Sequence, residues 1–302
     1  MINRSNIVKL LQQGVNAVFG LAYAEIPEEW PMVFDMSNSA KAFEEDVLAT
    51  GFGAAVVKEE GSDFTFDEAR TAWAARYTHN TIGLGFIVTE EAIEDDLYNV
   101  VVPKYGKAIA RSFRQTKEIY AASVLNNGFT TFLTGDGVAL FSTAHPTVGA
   151  GNFANMLATP ADLSETSLED MLILIRKCKD DRGIPIALRP LRLIIPPDEE
   201  YNAIRLTKSD QRTGTADNDI NAIKAKGIFR TDPAVLTRLT DPDAWFIKTD
   251  APEGAKLFQR VALGKIKVVE DPTSGNVINR GRERYSVGVT DARSLFASAG
   301  AG

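Results

Sequence analysis

The side chains best suited to catalysis or metal binding are scarce in this sequence and poorly spaced for either role. It has two histidines, His79 and His145, and neither belongs to an H-E-x-x-H pattern or another metal-ligand spacing. His145 closely follows Ser142, which suggests a serine–histidine nucleophile, but no G-x-S-x-G turn surrounds the serine. The single cysteine, Cys178, continues the apolar face of a predicted helix, and we expect it to pack rather than react.

Two further groups could bind or activate a substrate, but each has a simpler interpretation. Gly83-Leu84-Gly85 lacks the third glycine of a dinucleotide-binding turn, and the sequence contains no P-loop. Glu94, Asp95 and Asp96 follow one another on a predicted helix, so their carboxylates point in different directions and form a solvated face. We therefore predict no catalytic, cofactor-binding or metal-binding residues, and a protein that is not an enzyme.

Length and composition agree with a soluble globular protein. The chain has 302 residues, of which 44% are hydrophobic and 24% charged. No apolar run approaches the ~18 residues that span a membrane, and the N-terminus lacks the pattern of a signal peptide. One cysteine suits a reducing cytoplasm. The net charge of -7 argues against wrapping around nucleic acid, although not against lying near it.

The longest helical pattern runs from about Thr89 to Asn127 and contains Pro103. We expect a short helix that ends near Tyr98 and a second helix with Pro103 in its first turn, because proline is tolerated there. In the second helix, residues at spacings of three and four predict one buried stripe: Tyr105, Ile109, Phe113, Thr116, Tyr120 and Val124.

Other elements precede and follow this helix. Period-two alternation predicts a two-stranded projection in front of it, with Ala55-Val56-Val57 as one strand and residues 73–78 as the return. An isolated hairpin is marginal in water, so this projection should rest on another surface. The remaining helices are predicted over 7–18, over 164–180 with Ser164 or Ser167 as the cap at its start, and over 198–206. The remaining strands are predicted over 191–195, 235–239, 245–249, 257–269 and 285–289, followed by a frayed tail from Ser298.

One stretch is specific enough to indicate a family. Residues 133–146 read LTGDGVALFSTAHP: a Gly-Asp-Gly turn, an apolar run over Val138–Phe141 that predicts a buried strand or a hairpin arm, and a Ser-Thr-Ala-His-Pro end. Together with the long helix in front of it, this stretch resembles the major capsid proteins of tailed bacteriophages. The resemblance is strongest to Mu-like major head subunits, which have the Hong Kong ninety-seven type of shell fold.

The resemblance implies an α+β phage major capsid fold. It would contain an N-terminal arm, an extended two-stranded loop, a peripheral domain with a long spine helix and a sheet, and an axial domain. The implied boundaries are 1–50 for the arm, 51–86 for the extended loop, 87–159 for the first part of the peripheral domain, 160–256 for the axial domain and 257–302 for the second part of the peripheral domain.

The implied function is mechanical. Copies of the chain would assemble as pentamers and hexamers into the icosahedral shell around the double-stranded DNA genome, in the virion, after assembly in the bacterial host cytoplasm. Implied partners are a portal protein, a scaffolding protein and decoration proteins, with packaged DNA held without sequence-specific binding and no membrane contact. The alternatives are an encapsulin-like compartment with enzyme cargo, and a soluble α/β enzyme that uses His145 or an acid cluster.

Charge is unevenly distributed along the chain. Residues 25–68 contain twelve acidic and two basic residues, whereas residues 256–293 contain eight basic and four acidic residues. Both segments could simply be solvated surface. The more specific interpretation is that two surfaces of opposite charge meet between subunits. The candidate inter-subunit contacts are Trp30, Glu59, Glu60, Trp73, Lys104, Lys107, Arg111, Arg282 and Arg284.

Overall fold

The structure is a computed structural model that describes residues 27–95, 98–212, 219–264 and 266–301; the helix predicted over residues 7–18 lies outside them. The helices within this part are α1 Glu90–Glu94, α2 Tyr98–Asn126, α3 Glu165–Arg176, α4 Glu200–Lys208 and α5 Ala222–Ala225. The strands are β1 Asp35–Asn38, β2 Phe43–Thr50, β3 Arg70–Thr78, β4 Asn80–Val88, β5 His145–Pro146, β6 Asn152–Phe153, β7 Pro190–Ile195, β8 Ala234–Val235, β9 Trp245–Thr249, β10 Ala255–Val261, β11 Lys267–Glu270, β12 Val277–Val289 and β13 Leu295–Ser298. This mixture of helices and sheets confirms the α+β class.

The long helix α2 is the spine of the first half of the fold. The predicted division into a short and a long helix is confirmed, but Pro103 lies inside α2 rather than in its first turn. The predicted stripe is buried at Ile109, Phe113 and Val124, whereas Tyr105 is 50% exposed. The helix ends at Asn126, before Gly128, where a side chain would collide with the ring of Phe141.

A five-stranded sheet is built around β12. Strand β4 pairs antiparallel with one edge of β12, β10 and β11 pair in succession with the other edge, and β1 extends the sheet beside β10. The long strand predicted over residues 257–269 is wrong, because β10 and β11 are separate, and β12 begins eight residues earlier than the predicted 285. Strand β4 was not predicted, since its two glycines interrupt the alternating pattern.

Alternate residues of β12 face the spine helix. A side chain at Gly281 would come within 2.8 Å of the Phe113 ring, so the helix lies close to the sheet at this point. One turn further on, Lys117 lies 4.0 Å from Glu283, and both side chains are buried. Because residues 281 and 283 face the helix, residues 280 and 282 must face the opposite side of the sheet.

A four-stranded sheet with the order β13-β9-β7-β8 forms the second half of the fold, with α3, α4 and α5. Helix α3 begins with the predicted Ser164 cap, whose hydroxyl accepts from the backbone N–H of Ser167. Its apolar face is buried, and so is Cys178, as predicted. This sheet and these helices correspond to the axial domain.

The frayed tail predicted from Ser298 is wrong at its first residue, because β13 pairs with β9 and all four of its residues are buried. Leu295 and Phe296 are apolar anchors, and Ala297 and Ser298 are small enough to lie in the interior. The end of the chain therefore enters the axial sheet, whereas the predicted boundaries placed it in the peripheral domain.

The extended loop is a hairpin of β2 and β3 with a long connection over residues 51–69. The return strand is confirmed, but the strand predicted at Ala55-Val56-Val57 is wrong; the outgoing strand lies earlier, in β2. Val56 and Val57 are 70% and 90% exposed, so no strand of their own chain covers them. The pairing that makes this hairpin therefore starts at residue 43, inside the predicted arm.

The motif at 133–146 is mostly loop. The buried strand or hairpin arm predicted over Val138–Phe141 is shortened to an antiparallel bridge between Leu133 and Ala139, and Leu140 and Phe141 are buried as expected. The predicted Gly-Asp-Gly turn is confirmed, because Gly137 has a positive φ of 79°.

Candidate assembly surfaces

The buried histidine of the motif has its ring nitrogens occupied. Nδ1 of His145 lies 2.7 Å from Asp136 Oδ2, and Nε2 lies 3.2 Å from the carbonyl oxygen of Leu140. The ring is fully buried and stacks on Phe153. Burial alone would raise the pKa of Asp136, but hydrogen bonds from His145, Thr134 and a backbone amide hold it below its usual value. This arrangement fixes the motif in place and does not present His145 to Ser142.

Two features that would indicate a metalloenzyme or a membrane-spanning protein are absent from the part of the chain that the structure describes. Across residues 27–95, 98–212, 219–264 and 266–301, no group of three or more His, Cys, Asp or Glu side chains could hold a metal ion. Within those ranges, no helix has the length and apolar character needed to cross a bilayer.

The connection over residues 51–69 is the most exposed segment of the described chain. Its apolar side chains lie in solvent, with exposed fractions from 64% to 92% for Phe52, Val56, Val57, Phe64 and Phe66. The predicted contacts Glu59 and Glu60 lie at its turn and are also exposed. A segment that combines exposed aromatic rings with unpaired acids is typical of a surface that another molecule covers.

The root of the hairpin, which is the paired part of β2 and β3, is held firmly by its own chain. Lys256 Nζ lies 2.7 Å from Asp46 on β2 and also contacts Glu253. The hydroxyl of Tyr77 on β3 lies 2.6 Å from that of Thr290. Burial alone would lower the pKa of Lys256. Its hydrogen bonds to Asp46 and Glu253 have the larger, opposite effect, so the pKa is raised above its usual value.

Trp73, another predicted contact, lies at the root rather than at the tip. It is partly buried and lines a small cleft with Leu48, Gly135 and Asp136, all from its own chain. Trp30 is only 4% exposed and packs with Val33 and Phe34 in a core to which the spine helix and both sheets contribute. A side chain covered by its own subunit leaves little surface for a neighbour, so the exposed contacts are the stronger candidates.

Residues 28–34 form a strap across the spine helix. The carboxylate of Glu118 accepts hydrogen bonds from the backbone amides of Glu29 and Trp30, each at 3.0 Å. Burial raises the pKa of Glu118, and the two amide donors act in the opposite direction. Glu28 forms an ion pair with Arg114 of the same helix. This segment therefore packs on its own subunit.

A basic groove of about 660 Å³ lies on the side of the five-stranded sheet that faces away from the spine helix. Arg280 and Arg282 of β12 project there, next to Lys267 of β11. Their partners across the ladder are Gly85 and Gly83, which carry no side chain to fill the space. None of these three basic side chains has an ion pair with any described residue. Arg284 continues the row and is half-buried.

The predicted basic contacts separate into two surfaces. Arg282 and Arg284 belong to the groove, whereas Lys104, Lys107 and Arg111 are exposed on α2, on the other side of the sheet. The sequence alone did not separate these five residues, because it does not show which face of β12 the helix covers. Lys267, Arg280 and the two β4 glycines were not among the candidate contacts predicted from the sequence. The alternation of arginines along residues 280–284 was the pattern that could have indicated this surface.

Comparisons with known proteins identify the fold. A family model described as phage capsid protein matches residues 73–298. No curated protein sequence matches the chain. Solved structures with similar folds include the virus-like particle of Pyrococcus furiosus, with 11% identity, 95% of this chain and 98% of that chain covered, and a TM-score of 0.52.

Two phage structures are equally similar. The procapsid of bacteriophage JBD30 has 14% identity, covers 98% of this chain and 76% of that chain, and has a TM-score of 0.53. Microbacterium phage Oxtober96 has 12% identity, covers 90% of this chain and 91% of that chain, and has a TM-score of 0.54. At these sequence identities the solved structures show only that the fold is shared. The family model, which matches residues 73–298, shows that the chain is related to phage capsid proteins in sequence.

Proposed function

Because the chain belongs to the phage capsid protein family, we propose that its exposed loop and its basic groove join identical subunits into a closed head shell. The chain is a structural protein, a major capsid subunit, and its place is the capsid of the virion. The alternatives of an enzyme-filled compartment and a soluble enzyme are not favoured by this family. The narrower resemblance to Mu-like head subunits stays a prediction.

The observation that carries the proposed contact is that residues 51–69 cover almost nothing in their own chain. They present Glu59 and Glu60 with exposed aromatic rings, while the groove presents Lys267, Arg280 and Arg282 without acidic partners. Opposite charges steer encounter and fix register, and burial of the aromatic rings would supply most of the affinity. We infer that the loop of one subunit lies on the groove of the next.

The wider assembly follows from the family resemblance. Subunits would form pentamers and hexamers in the bacterial host cytoplasm, with a portal protein, a scaffolding protein and decoration proteins as further partners. Packaged double-stranded DNA would lie inside without sequence-specific contacts, which agrees with the net charge of -7. No catalytic step is proposed.

Charge reversal tests the loop-and-groove contact. Glu59→Lys with Glu60→Lys should slow assembly of the purified chain, as followed by light scattering, because the loop would then repel the groove. Adding Arg280→Glu with Arg282→Glu should restore part of the rate. Raising the salt above ~0.1 M, where charges more than ~10 Å apart are screened, should slow the wild type in the same way.

The matched control reverses two consecutive exposed acids elsewhere, Glu169→Lys with Asp170→Lys on helix α3. It changes the net charge equally and should leave the assembly rate nearly unchanged. If the loop variant assembled at the wild-type rate, or if both variants slowed assembly equally, the contact would be rejected while the capsid function stood.

A further inference from the structure

We propose that a basic pocket in the axial domain binds clustered phosphate groups, either on a free oligophosphate or along a nucleic-acid backbone. The pocket has a volume of about 350 Å³ and is distinct from the groove described above. Four basic residues line it: Arg176, Arg189, Lys226 and Arg230. They come from three separate segments of the chain, the end of α3, the residue before β7 and the loop after α5.

The four basic side chains have no acidic partner among the described residues. Two other lysines of the axial domain are paired, Lys208 with Asp232 at 3.1 Å and Lys224 with Asp210 at 2.5 Å. The carboxylate of Asp250 lies next to Arg189, but it accepts from the backbone amide of Arg189 rather than from its guanidinium. Four like charges that converge without counterions repel one another, so an external anion would relieve that repulsion.

Buried neighbours in the sequence hold three of the bases in position. Arg176 follows Ile175, which is fully buried, and Arg189 follows Leu188, which is 5% exposed. Arg230 comes two residues after Ile228, which packs on the same axial core. The charged ends are exposed while their backbones are fixed, and a pre-positioned site loses less freedom when it binds.

The pocket wall contains backbone conformations that side chains rarely adopt. Ala187 has a positive φ of 49°, one of two such non-glycine residues in the described chain, and Gly227 has a positive φ of 55°. Strained backbone at a non-glycine residue is maintained where the surrounding structure requires it, and it is concentrated at binding sites. Here the strained residue lies directly before the Leu188 anchor and the Arg189 that it positions.

The side-chain chemistry selects phosphate over other anions. Guanidinium groups match phosphate oxygens with two parallel hydrogen bonds, and three of the four bases are arginines. The volume lies in the range of sites for small ligands, so several phosphates can enter together. Carboxylates of an acidic peptide would provide fewer charges in the same space.

The test uses the full-length chain with tripolyphosphate as the probe, titrated by calorimetry near ~0.15 M salt. A fluorescent single-stranded oligonucleotide is the second probe, followed by anisotropy and competed with tripolyphosphate. Arg176→Glu with Arg230→Glu should weaken tripolyphosphate binding by about tenfold or more, because two charge-assisted contacts are lost. Arg176→Gln with Arg230→Gln removes the two charges without reversing them and should also weaken tripolyphosphate binding. This variant replaces the first one if charge reversal disturbs folding.

The control reverses two exposed bases next to the pocket but outside it, Lys177→Glu with Lys179→Glu. It should change binding by less than about threefold, because neither side chain lines the pocket and exposed charges outside direct contact are screened by salt. Displacement of the oligonucleotide by tripolyphosphate supports a nucleic-acid backbone as a source, and tripolyphosphate binding without oligonucleotide binding supports a free oligophosphate. No tripolyphosphate binding, or equal weakening in the pocket and control variants, overturns the proposal. This result is independent of whether the subunit forms shells.

Discussion

At the scale of single residues, buried polar groups fix the junction between the hairpin and the five-stranded sheet. His79 lies between β3 and β4, and its ring nitrogens lie 2.9 Å from the hydroxyl of Ser39 and 3.0 Å from that of Ser286. Burial is the main reason that the pKa of His79 falls below its usual value of 6.5, and Arg284 lowers it further. The fold therefore favours the neutral ring.

This shift predicts a pH dependence of stability. Because the pKa is lower in the folded chain, the unfolded chain binds more protons, and the stabilisation from His79 is complete above pH 6.5 and lost as the pH falls below that value. The free energy of unfolding of the wild type should fall more between about pH 7.5 and 5.5 than that of His79→Gln. Denaturant titrations at both pH values measure this, and parallel pH profiles for the two chains would refute it.

Phe113 should be the most costly single truncation in the spine helix. Its ring is 1% exposed and packs on Gly281, so Phe113→Ala leaves a cavity and should lower the free energy of unfolding by ~3–5 kcal/mol. Tyr105→Ala is the matched control, because Tyr105 is on the same stripe but 50% exposed. Urea denaturation of both variants provides the comparison, and equal losses would contradict the packing described.

At the scale of elements, the extended hairpin consists of a fixed root, the β2–β3 ladder, and an uncovered tip, the connection over residues 51–69. Asp46 and Tyr77 hold the root on β10 and the end of β12 through Lys256 and Thr290. The connection over residues 51–69 contacts the axial half through Arg182, which donates to the carbonyl of Glu68 at 2.6 Å and lies 3.5 Å from Asp67 Oδ1. The ladder between β2 and β3 should therefore persist in an isolated subunit, whereas the tip should not.

Hydrogen exchange distinguishes these two parts. In unassembled subunits, amides of residues 51–69 should exchange quickly and those in the β2–β3 ladder slowly, because the ladder is hydrogen-bonded along its length, whereas the connection has few backbone hydrogen bonds, such as that from Ser62 to Glu59 at 3.2 Å. In assembled shells, the tip should become protected as well. Strand β12 provides the control, since its central place in the sheet predicts slow exchange in both states. A tip that exchanges at one rate in both states would show that no neighbour covers it.

How far the sequence predicted these elements depends on whether their pattern is local. The stripe through Ile109 and Phe113 and the Ser164 cap were confirmed, because both are set by residues three or four positions apart. Strand β4 was missed, since its place depends on pairing with β12 almost two hundred residues later. The wrong strand at 55–57 shows the converse: valines favour a strand, but no partner strand lies opposite them in this chain.

For the candidate surfaces too, local features could be predicted from the sequence and features that depend on distant pairing could not. The exposure of Glu59, Glu60 and Arg282 was predicted from charge alone, and the structure places all three in solvent. The burial of Trp30 by its own chain was not predicted, because an aromatic residue in an irregular segment has no period that shows what covers it. The groove could not be predicted, since it arises where the β4 glycines lie beside the β12 arginines.

At the scale of the whole molecule, the chain ties its two halves together before it meets a neighbour. The buried amide of Asn155 donates to the carbonyl oxygens of Leu140, Ala292 and Leu295, at the point where the chain leaves β12 for the axial sheet. The acidic tip and the basic groove are both left on the outside of this unit. A subunit with complementary surfaces of this kind can bind a second copy at each of them, which is how identical subunits form closed shells.

Electron microscopy of the purified full-length chain, under conditions that permit assembly, tests the central claim most directly. If the chain is a major capsid subunit, micrographs should show closed hollow shells, and an image reconstruction should place residues 51–69 of one subunit on Lys267, Arg280 and Arg282 of the next. Small discrete oligomers across the tested range of salt and concentration would contradict the assembly function. Closed shells with the tip away from the groove would contradict the proposed contact alone.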